Sequence, residues 1–221
     1  MSAESPLFVY LHGFASGPSS EKARFFRERL AAKGVELQVP NLNEGEEGFF
    51  GLTVSRALRQ VESLLAEGKV RDRGAILIGS SLGGYLSALA ASRNPDIRAV
   101  IMMAPAFDLP ARWQQILGSE VISKWREEGS LEVDHYATRK KERIGFNFYR
   151  DSLGHPPYPK VGCPGLILHG INDAEVPVSV SRKLVSLSPS VRLVEFDSDH
   201  ALTDVLEPIW EESERFLAPF L

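Results

Sequence analysis

Gly79-Ser80-Ser81-Leu82-Gly83 lies between the apolar run Ala75-Ile76-Leu77-Ile78 and the stretch Tyr85-Leu86-Ser87-Ala88-Leu89-Ala90-Ala91. The first run has the length and composition of a buried strand, and the second reads as a helix. G-x-S-x-G at a strand–turn–helix junction is the context of a nucleophile elbow. There the serine takes strained backbone angles, with Oγ exposed above a sheet. Side chains two residues before and after it would collide, so both positions must be glycine. That requirement selects Ser81. Were Ser80 the nucleophile, Ile78 and Leu82 would flank it. The plainer reading is a Gly/Ser cluster in an ordinary turn. The strand before and the helix after argue against it.

Outward from this turn, the chain alternates strand-like and helix-like segments. Leu7–Leu11 reads as a buried strand. Ser19 and Ser20 can cap a helix in which Ala23, Phe26 and Leu30 share a face, with Gly34 closing it. Val35–Val39 reads as a second strand, stopped by Pro40. Val54, Ala57, Leu58, Val61, Leu64 and Leu65 form an apolar helical stripe ending near Gly68. Further strands are expected at Ala99–Met103, Gly165–Leu168 and Val191–Phe196. Helices are expected around Val180, Leu184 and Leu187, and around Val205, Ile209, Trp210 and Phe216. Alternation of this kind implies an α/β fold: a mainly parallel sheet of about six strands with helices on both faces. Such sheets hold their sites at the carboxyl ends of the strands.

One segment, 106–160, separates two strands by far more than a usual crossover. Ala111–Leu117 and Val121–Glu128 read as helical pieces, and a basic run, Arg139–Arg143, follows. Trp113, Trp125, Phe146, Phe148 and Tyr149 suggest an apolar underside. The expectation is a helical lid inserted into a single domain spanning 1–221.

Composition bounds the function. Of 221 residues, 43% are hydrophobic and 24% charged, enough for a packed core and too apolar for disorder. The net charge of −4 offers no footprint for nucleic acid. Cys163 is the single cysteine, so an intrachain disulfide is excluded and nothing points to an oxidising compartment. Met1–Pro6 lacks the basic start and apolar core of a signal peptide. No apolar run approaches the roughly 20 residues of a membrane span. A cytoplasmic location is expected.

A serine hydroxyl needs a neutral imidazole to take its proton and a carboxylate to orient that imidazole. The acid is read as Asp173, in His169-Gly170-Ile171-Asn172-Asp173-Ala174-Glu175-Val176-Pro177, just past a strand. Asp108, after the preceding strand, is its rival, and Glu175 a weaker one. The base is read as His200, in Asp197-Ser198-Asp199-His200-Ala201, past the last strand. His135, His155 and His169 are read as structural or lid residues. The acidic company of His200 could suggest a metal, but no second histidine cluster exists, so neither metal nor cofactor is expected. The oxyanion needs fixed donors. The N–H of Leu82, after the nucleophile, is one. The N–H of Phe14, in the loop His12-Gly13-Phe14-Ala15-Ser16-Gly17, is the other. That loop has neither G-x-G-x-x-G nor a Walker lysine, which argues against phosphate binding.

Together these residues resemble the α/β-hydrolase superfamily over nearly the whole chain. Tyr10-Leu11-His12-Gly13-Phe14 with Ser16, Pro18, Ser19 and Lys22-Ala23, and Gly79 through Tyr85, are similar to the small bacterial YqiA-type esterases. His169 through Pro177 matches the superfamily's H-G-x-x-D-x-x-V-P acid loop, and Ser198-Asp199-His200 its histidine loop. The order serine, acid, histidine is also that of the fold. The longer insertion, with Cys163-Pro164 and the acid loop, resembles acyl-protein thioesterases of the mitochondrial depalmitoylase type. The resemblance implies a serine hydrolase acting on a small-molecule acyl ester through an acyl-enzyme, or a thioesterase using the same residues. A non-hydrolytic small-molecule receptor or a scaffold on this fold is the alternative from another class.

Overall fold

The computed structural model describes residues 5–45, 47–68 and 70–221. Most of the Met1–Pro6 stretch read above therefore lies outside the described residues. The elements in chain order are β1 (Leu7–Leu11), α1 (Glu21–Ala31), β2 (Leu37–Gln38), α2 (Val54–Glu67), α3 (Val70–Arg73), β3 (Ala75–Ser80) and α4 (Leu82–Ala91). β4 (Ile97–Met103), α5 (Leu109–Glu128), β5 (Ser130–His135), β6 (Lys140–Gly145) and α6 (Asn147–Ser152) follow. The chain closes with β7 (Gly165–Gly170), α7 (Val178–Leu187), β8 (Val191–Phe196) and α8 (Leu206–Leu217).

Six strands form one parallel sheet in the order β2-β1-β3-β4-β7-β8. This is the α/β-hydrolase fold. The period of two splits the core between the faces. Leu7, Val9, Leu11, Leu77 and Val100 pack on one side with α2, α4 and α7. Phe8, Tyr10, Ile76, Ile78 and Ile101 pack on the other with Phe26 of α1 and Trp210 of α8. Both faces are covered, so the central strands read as continuous apolar runs rather than as alternation. In α2, the Thr53 hydroxyl accepts the Arg56 N–H at 3.0 Å as a cap, and Val54, Ala57, Leu58, Val61 and Leu65 are buried. Each of the larger side chains contributes about 1.5–3 kcal/mol by leaving water.

Two expectations need correcting. The second strand pairs only at Leu37 and Gln38, because it is an edge strand next to Pro40 and Val35 and Val39 are only half-buried. The insertion is not wholly helical. α5 breaks at Gly118 (φ 78°, ψ 162°), close to the expected gap between helical pieces. The basic run, however, is a strand: β6 pairs with β5 as an antiparallel hairpin. Oppositely charged residues face each other across it, Glu132 with Arg143 and Asp134 with Lys141. The insertion is tied to α2 by Asp151, which accepts the Ser55 N–H at 2.8 Å and the Ser55 hydroxyl at 2.6 Å.

The aromatic residues of the insertion form its own core. Trp125 is buried and its Nε1–H donates to the Ile144 carbonyl at 3.1 Å. Its ring packs on Trp113 and Phe146. Trp125→Ala should therefore cost about 3–5 kcal/mol of stability, the range for emptying a buried aromatic site. Thermal or denaturant unfolding measures this. A loss under 1 kcal/mol would show that the insertion tolerates the cavity.

Candidate active site

β3 runs straight into Ser81, which has φ 52° and ψ −113°. A non-glycine residue held there costs on the order of 1–3 kcal/mol and persists only if its surroundings fix it. The end of β4 and the loop after it do so. The Ser81 N–H donates to the Met103 carbonyl at 2.9 Å, and the Ser81 carbonyl accepts the Ala106 N–H at 3.1 Å. The glycine requirement is steric. A Cβ on Gly79 would lie 2.2 Å from the Gly83 carbonyl oxygen, and one on Gly83 would lie 1.9 Å from that of Leu11. The first is the collision expected across the elbow. The second is with β1, because α4 starts directly against the neighbouring strand. Ser80 remains in β3 and is buried.

The structure brings Ser81, His200 and Asp173 together. His200 Nε2 is 3.1 Å from Ser81 Oγ, and His200 Nδ1 is 2.7 Å from Asp173 Oδ2. The three residues follow β3, β8 and β7 at the carboxyl end of the sheet, where open α/β sheets hold their sites. β8 is three places from β3, so the His200 loop must fold back across β7. Gly170 lets it pass. A Cβ there would lie 2.3 Å from the Ser198 carbonyl oxygen and 2.5 Å from that of Asp199.

Asp173 is buried and fully partnered. Its Oδ1 accepts the N–H groups of Val176 at 2.7 Å and Glu175 at 2.9 Å, and its Oδ2 faces both His200 and His169 Nε2, the latter at 3.2 Å. Burial alone would raise this carboxyl. The hydrogen bonds from His169 and His200, the His200 charge and the Val176 N–H outweigh it and hold the group well below the usual carboxylate range. The rivals stand elsewhere. Asp108 precedes α5 at φ 56°, and its N–H donates to the Pro157 carbonyl. Glu175 approaches His200 on the Nε2 side at 3.6 Å with a mostly exposed carboxylate. It therefore cannot orient the imidazole from Nδ1.

Leu82 opens α4, so its N–H has no intrahelical acceptor. Phe14 lines the same cleft as Ser81, and a Cβ on Gly13 would lie 3.5 Å from the Ser81 Cβ. The two expected oxyanion amides thus belong to segments that flank Ser81. Three further residues support the site in ways that the sequence does not specify. The buried His12 accepts the Leu42 N–H at Nε2 (3.0 Å) and bonds the Gly13 carbonyl from Nδ1 (2.9 Å), which fixes the loop before Phe14. His169, read as structural, holds Asp173. Its Nε2 also meets the Val176 carbonyl at 2.8 Å, and its Nδ1 the Ser181 hydroxyl at 2.7 Å. Nε2 is therefore the donor and Nδ1 the acceptor. Tyr136, at the tip of the β5–β6 hairpin, donates its N–H to the Ala15 carbonyl at 2.8 Å and lines the cleft.

The cleft around Ser81 has a volume of about 360 Å³. Trp113, Ile116, Leu117, Val121, Ile122 and Trp125 do not line it. The Phe14 ring instead inserts among Trp113, Phe148 and Phe49, at centroid distances of 5.3, 5.1 and 5.2 Å. The insertion's apolar underside packs on the loop bearing the expected oxyanion amide. Only the hairpin tip reaches the cleft itself.

Comparison with known proteins fits this architecture. Residues 7–216 match the family described as Uncharacterised protein family (UPF0227). The chain belongs to that family. It is 27% identical over 223 residues to the human mitochondrial palmitoyl-protein thioesterase ABHD10, covering 92% of this chain and 70% of that protein (Homo sapiens). The Bos taurus protein of the same name is 27% identical over 224 residues, again 92% and 70% of the two chains. Est1E from Butyrivibrio proteoclasticus with ferulic acid bound superposes with a TM-score of 0.83 at 23% identity, covering 99% of this chain and 90% of that one. The mouse α/β hydrolase domain-containing protein 10 gives a TM-score of 0.76 at 24% identity, with 97% and 92% covered. Among the described residues, no helix is long and apolar enough to cross a membrane.

Proposed function

We propose that the protein is a serine hydrolase of carboxylic acyl esters, with thioesters as a second substrate class. One observation carries the reading: the hydrogen-bond chain Ser81–His200–Asp173 at the carboxyl end of the sheet. Ser81 Oγ attacks the acyl carbon while His200 Nε2 takes its proton. Asp173 keeps Nδ1 protonated, which leaves Nε2 free to accept. The tetrahedral oxyanion receives the N–H groups of Leu82 and Phe14, each such donor typically worth about 3 kcal/mol. Collapse expels the leaving group, which takes the proton from His200. Water then attacks the acyl-enzyme with His200 as base, and the carboxylic acid leaves. No cofactor enters this scheme. A thiol leaving group needs no change of residues, and the name of the ABHD10 relatives favours including it.

In this reading the segment 106–160 is a lid that braces the Phe14 loop and offers Tyr136 to the substrate. The lone Cys163 suits a reducing compartment such as the cytoplasm. The ABHD10 relatives carry a mitochondrial label, so the compartment of this chain is a separate question for a tagged-protein localisation.

The cleft volume is at the low end for ligand sites and favours short acyl groups. A panel of 4-nitrophenyl esters and matched thioesters, graded from acetyl to decanoyl, tests the reading. Hydrolysis of both kinds is expected, with kcat/KM highest for short chains. Absence of turnover across the panel would leave the receptor reading. A steady rise to the longest chain would mean that the insertion opens to admit it.

A further inference from the structure

One wall of the cleft at Ser81 is built from polar groups that the hydrolytic scheme does not use. Tyr10 of β1, Ser20 and Lys22 at the start of α1, and Ser80 of β3 line it. Tyr10 is fully buried, yet its hydroxyl has no hydrogen-bond partner among the described residues. The Ser20 and Ser80 hydroxyls lie close enough to act on it as weak partners, although neither closes a bond of good geometry. A buried hydroxyl left unpaired is costly, and such groups ordinarily find partners. The Tyr10 hydroxyl keeps capacity for a better-placed partner, and the cleft that it lines is where one can come from.

The same wall contains the N-terminus of the 11-residue helix α1. Ser20 precedes it, but its side chain makes no capping bond. The N–H groups of Glu21, Lys22 and Ala23 have no intrahelical acceptor, and the helix dipole favours negative charge at that end. Lys22 Nζ donates one hydrogen bond, to the Ala201 carbonyl. An ammonium has three donors, so two remain. The carboxylates on this cleft, Glu21 and Glu175, belong to exposed residues at its rim. The buried side of the wall presents hydroxyl and ammonium donors together.

We propose that this wall is a subsite for a carboxylate carried by the substrate a few bonds from the scissile carbonyl. The proposal rests on Ser81 being the nucleophile, which places the subsite in the same cleft as the reacting bond. The carboxylate would accept from Tyr10 Oη–H, Lys22 Nζ–H and the first-turn amides of α1. A single negative charge fits better than a dianion. Lys22 offers one positive charge, and Glu21, Glu175, Asp173 and Asp199 already surround it. Burial pushes the Lys22 ammonium down to about 8, against the pull of those four carboxylates. Lys22 is therefore still mostly charged at pH 7. Burial pushes Tyr10 up, which keeps its hydroxyl a donor. His200 and Tyr136 are the other titratable groups on the cleft. Preference for an anionic substrate should fade as pH rises through about 8, where Lys22 loses its proton.

The carboxylate can belong to either half of the ester, and two substrate pairs separate these cases. Mono-4-nitrophenyl adipate against 4-nitrophenyl hexanoate tests the acyl side. 4-Acetoxybenzoate against its methyl ester tests the leaving-group side. Each kcat/KM is divided by the rate constant for hydroxide-catalysed hydrolysis, which removes intrinsic reactivity. In one pair the anionic member should be favoured by about tenfold or more. Lys22→Met should abolish that ratio, and Tyr10→Phe should reduce it. A neutral preference in both pairs would overturn the subsite. So would a Lys22→Met change that lowers both members equally, since Lys22 would then serve only to hold the Ala201 carbonyl beside His200. Binding is read separately in Ser81→Ala protein, where monomethyl adipate, a single anion, should raise Tm and Lys22→Met should remove the rise. Persistence of that rise in a protein that hydrolyses none of these esters would keep the subsite and defeat the hydrolase reading. No rise, together with no anionic preference, would defeat the subsite alone.

Discussion

Ser81→Ala should lower kcat by about 10⁶, by analogy with loss of the nucleophile in a subtilisin-type serine protease. Labelling by a fluorophosphonate probe should vanish with it. The fold should persist, because the change removes one oxygen and leaves the backbone hydrogen bonds of Ser81 to Met103 and Ala106 in place. Alanine must still occupy φ 52°, so no gain in stability is expected from relief of strain. Ser80 cannot substitute. It is a buried residue of β3, and the residues two places from it, Ile78 and Leu82, are buried side chains that the elbow could not accept. Near-normal Tm with no labelling and no turnover is the expected pair of results. Labelling that survives, or that moves to Ser80, would remove Ser81 from the mechanism.

The core of the fold was legible because its signal is local. β3, β4 and β7 are largely apolar runs bounded by turns, and β8 begins and ends at the residues expected, Val191 and Phe196. The apolar stripe of α2 repeats at the helical period, so burial follows directly from spacing. The hairpin in the insertion was missed for a physical reason. Only Ser130, His135, Ile144 and Gly145 of its strands are buried, so Lys140–Arg143 looks like a solvated run. The readable clue was electrostatic: acids and bases alternate so that opposite charges meet across the pair. Trp113 and Trp125 give the insertion its expected apolar underside. Periodicity shows that a helix has an apolar face but not what the face meets, and here it meets Phe14, Phe146 and Phe148.

The site divides in the same way. Ser81, Asp173 and His200 could be selected because each follows a strand and carries the residue type that the chemistry needs. The groups that hold them could not. His169 sits in an apolar strand, and its meeting with Asp173 depends on the turn that follows. His12 acts on Leu42, thirty residues away. Tyr10 alternates with core residues of β1, and nothing in its spacing tells a packed ring from a hydroxyl that faces a cleft.

Asp173→Asn separates the orienting carboxylate from its rival and tests stability as well as rate. The carboxylate receives two N–H groups at Oδ1 and two imidazole nitrogens at Oδ2. An amide has one acceptor oxygen and one NH₂. If the oxygen takes the two backbone donors, the NH₂ faces His200 Nδ1 and favours the wrong tautomer. Nε2 then carries the proton and cannot accept that of Ser81. A loss in kcat on the order of 10⁴ is expected, as for the equivalent change in chymotrypsin-type proteases. Asp108→Asn, whose side chain makes no cap for α5, should change kcat far less. The reverse ranking would move the orienting acid to the end of β4. Stability adds an independent signature. The folded carboxyl lies below its unfolded value of about 3.9. Its contribution is therefore fully present above that value and is lost as pH falls toward the folded pKa. The wild type should lose stability to acid more steeply than Asp173→Asn, which has no proton to take up there. Unfolding followed from pH 5 down to pH 2 measures the difference, and parallel curves would mean that the environment of Asp173 does not favour its charge.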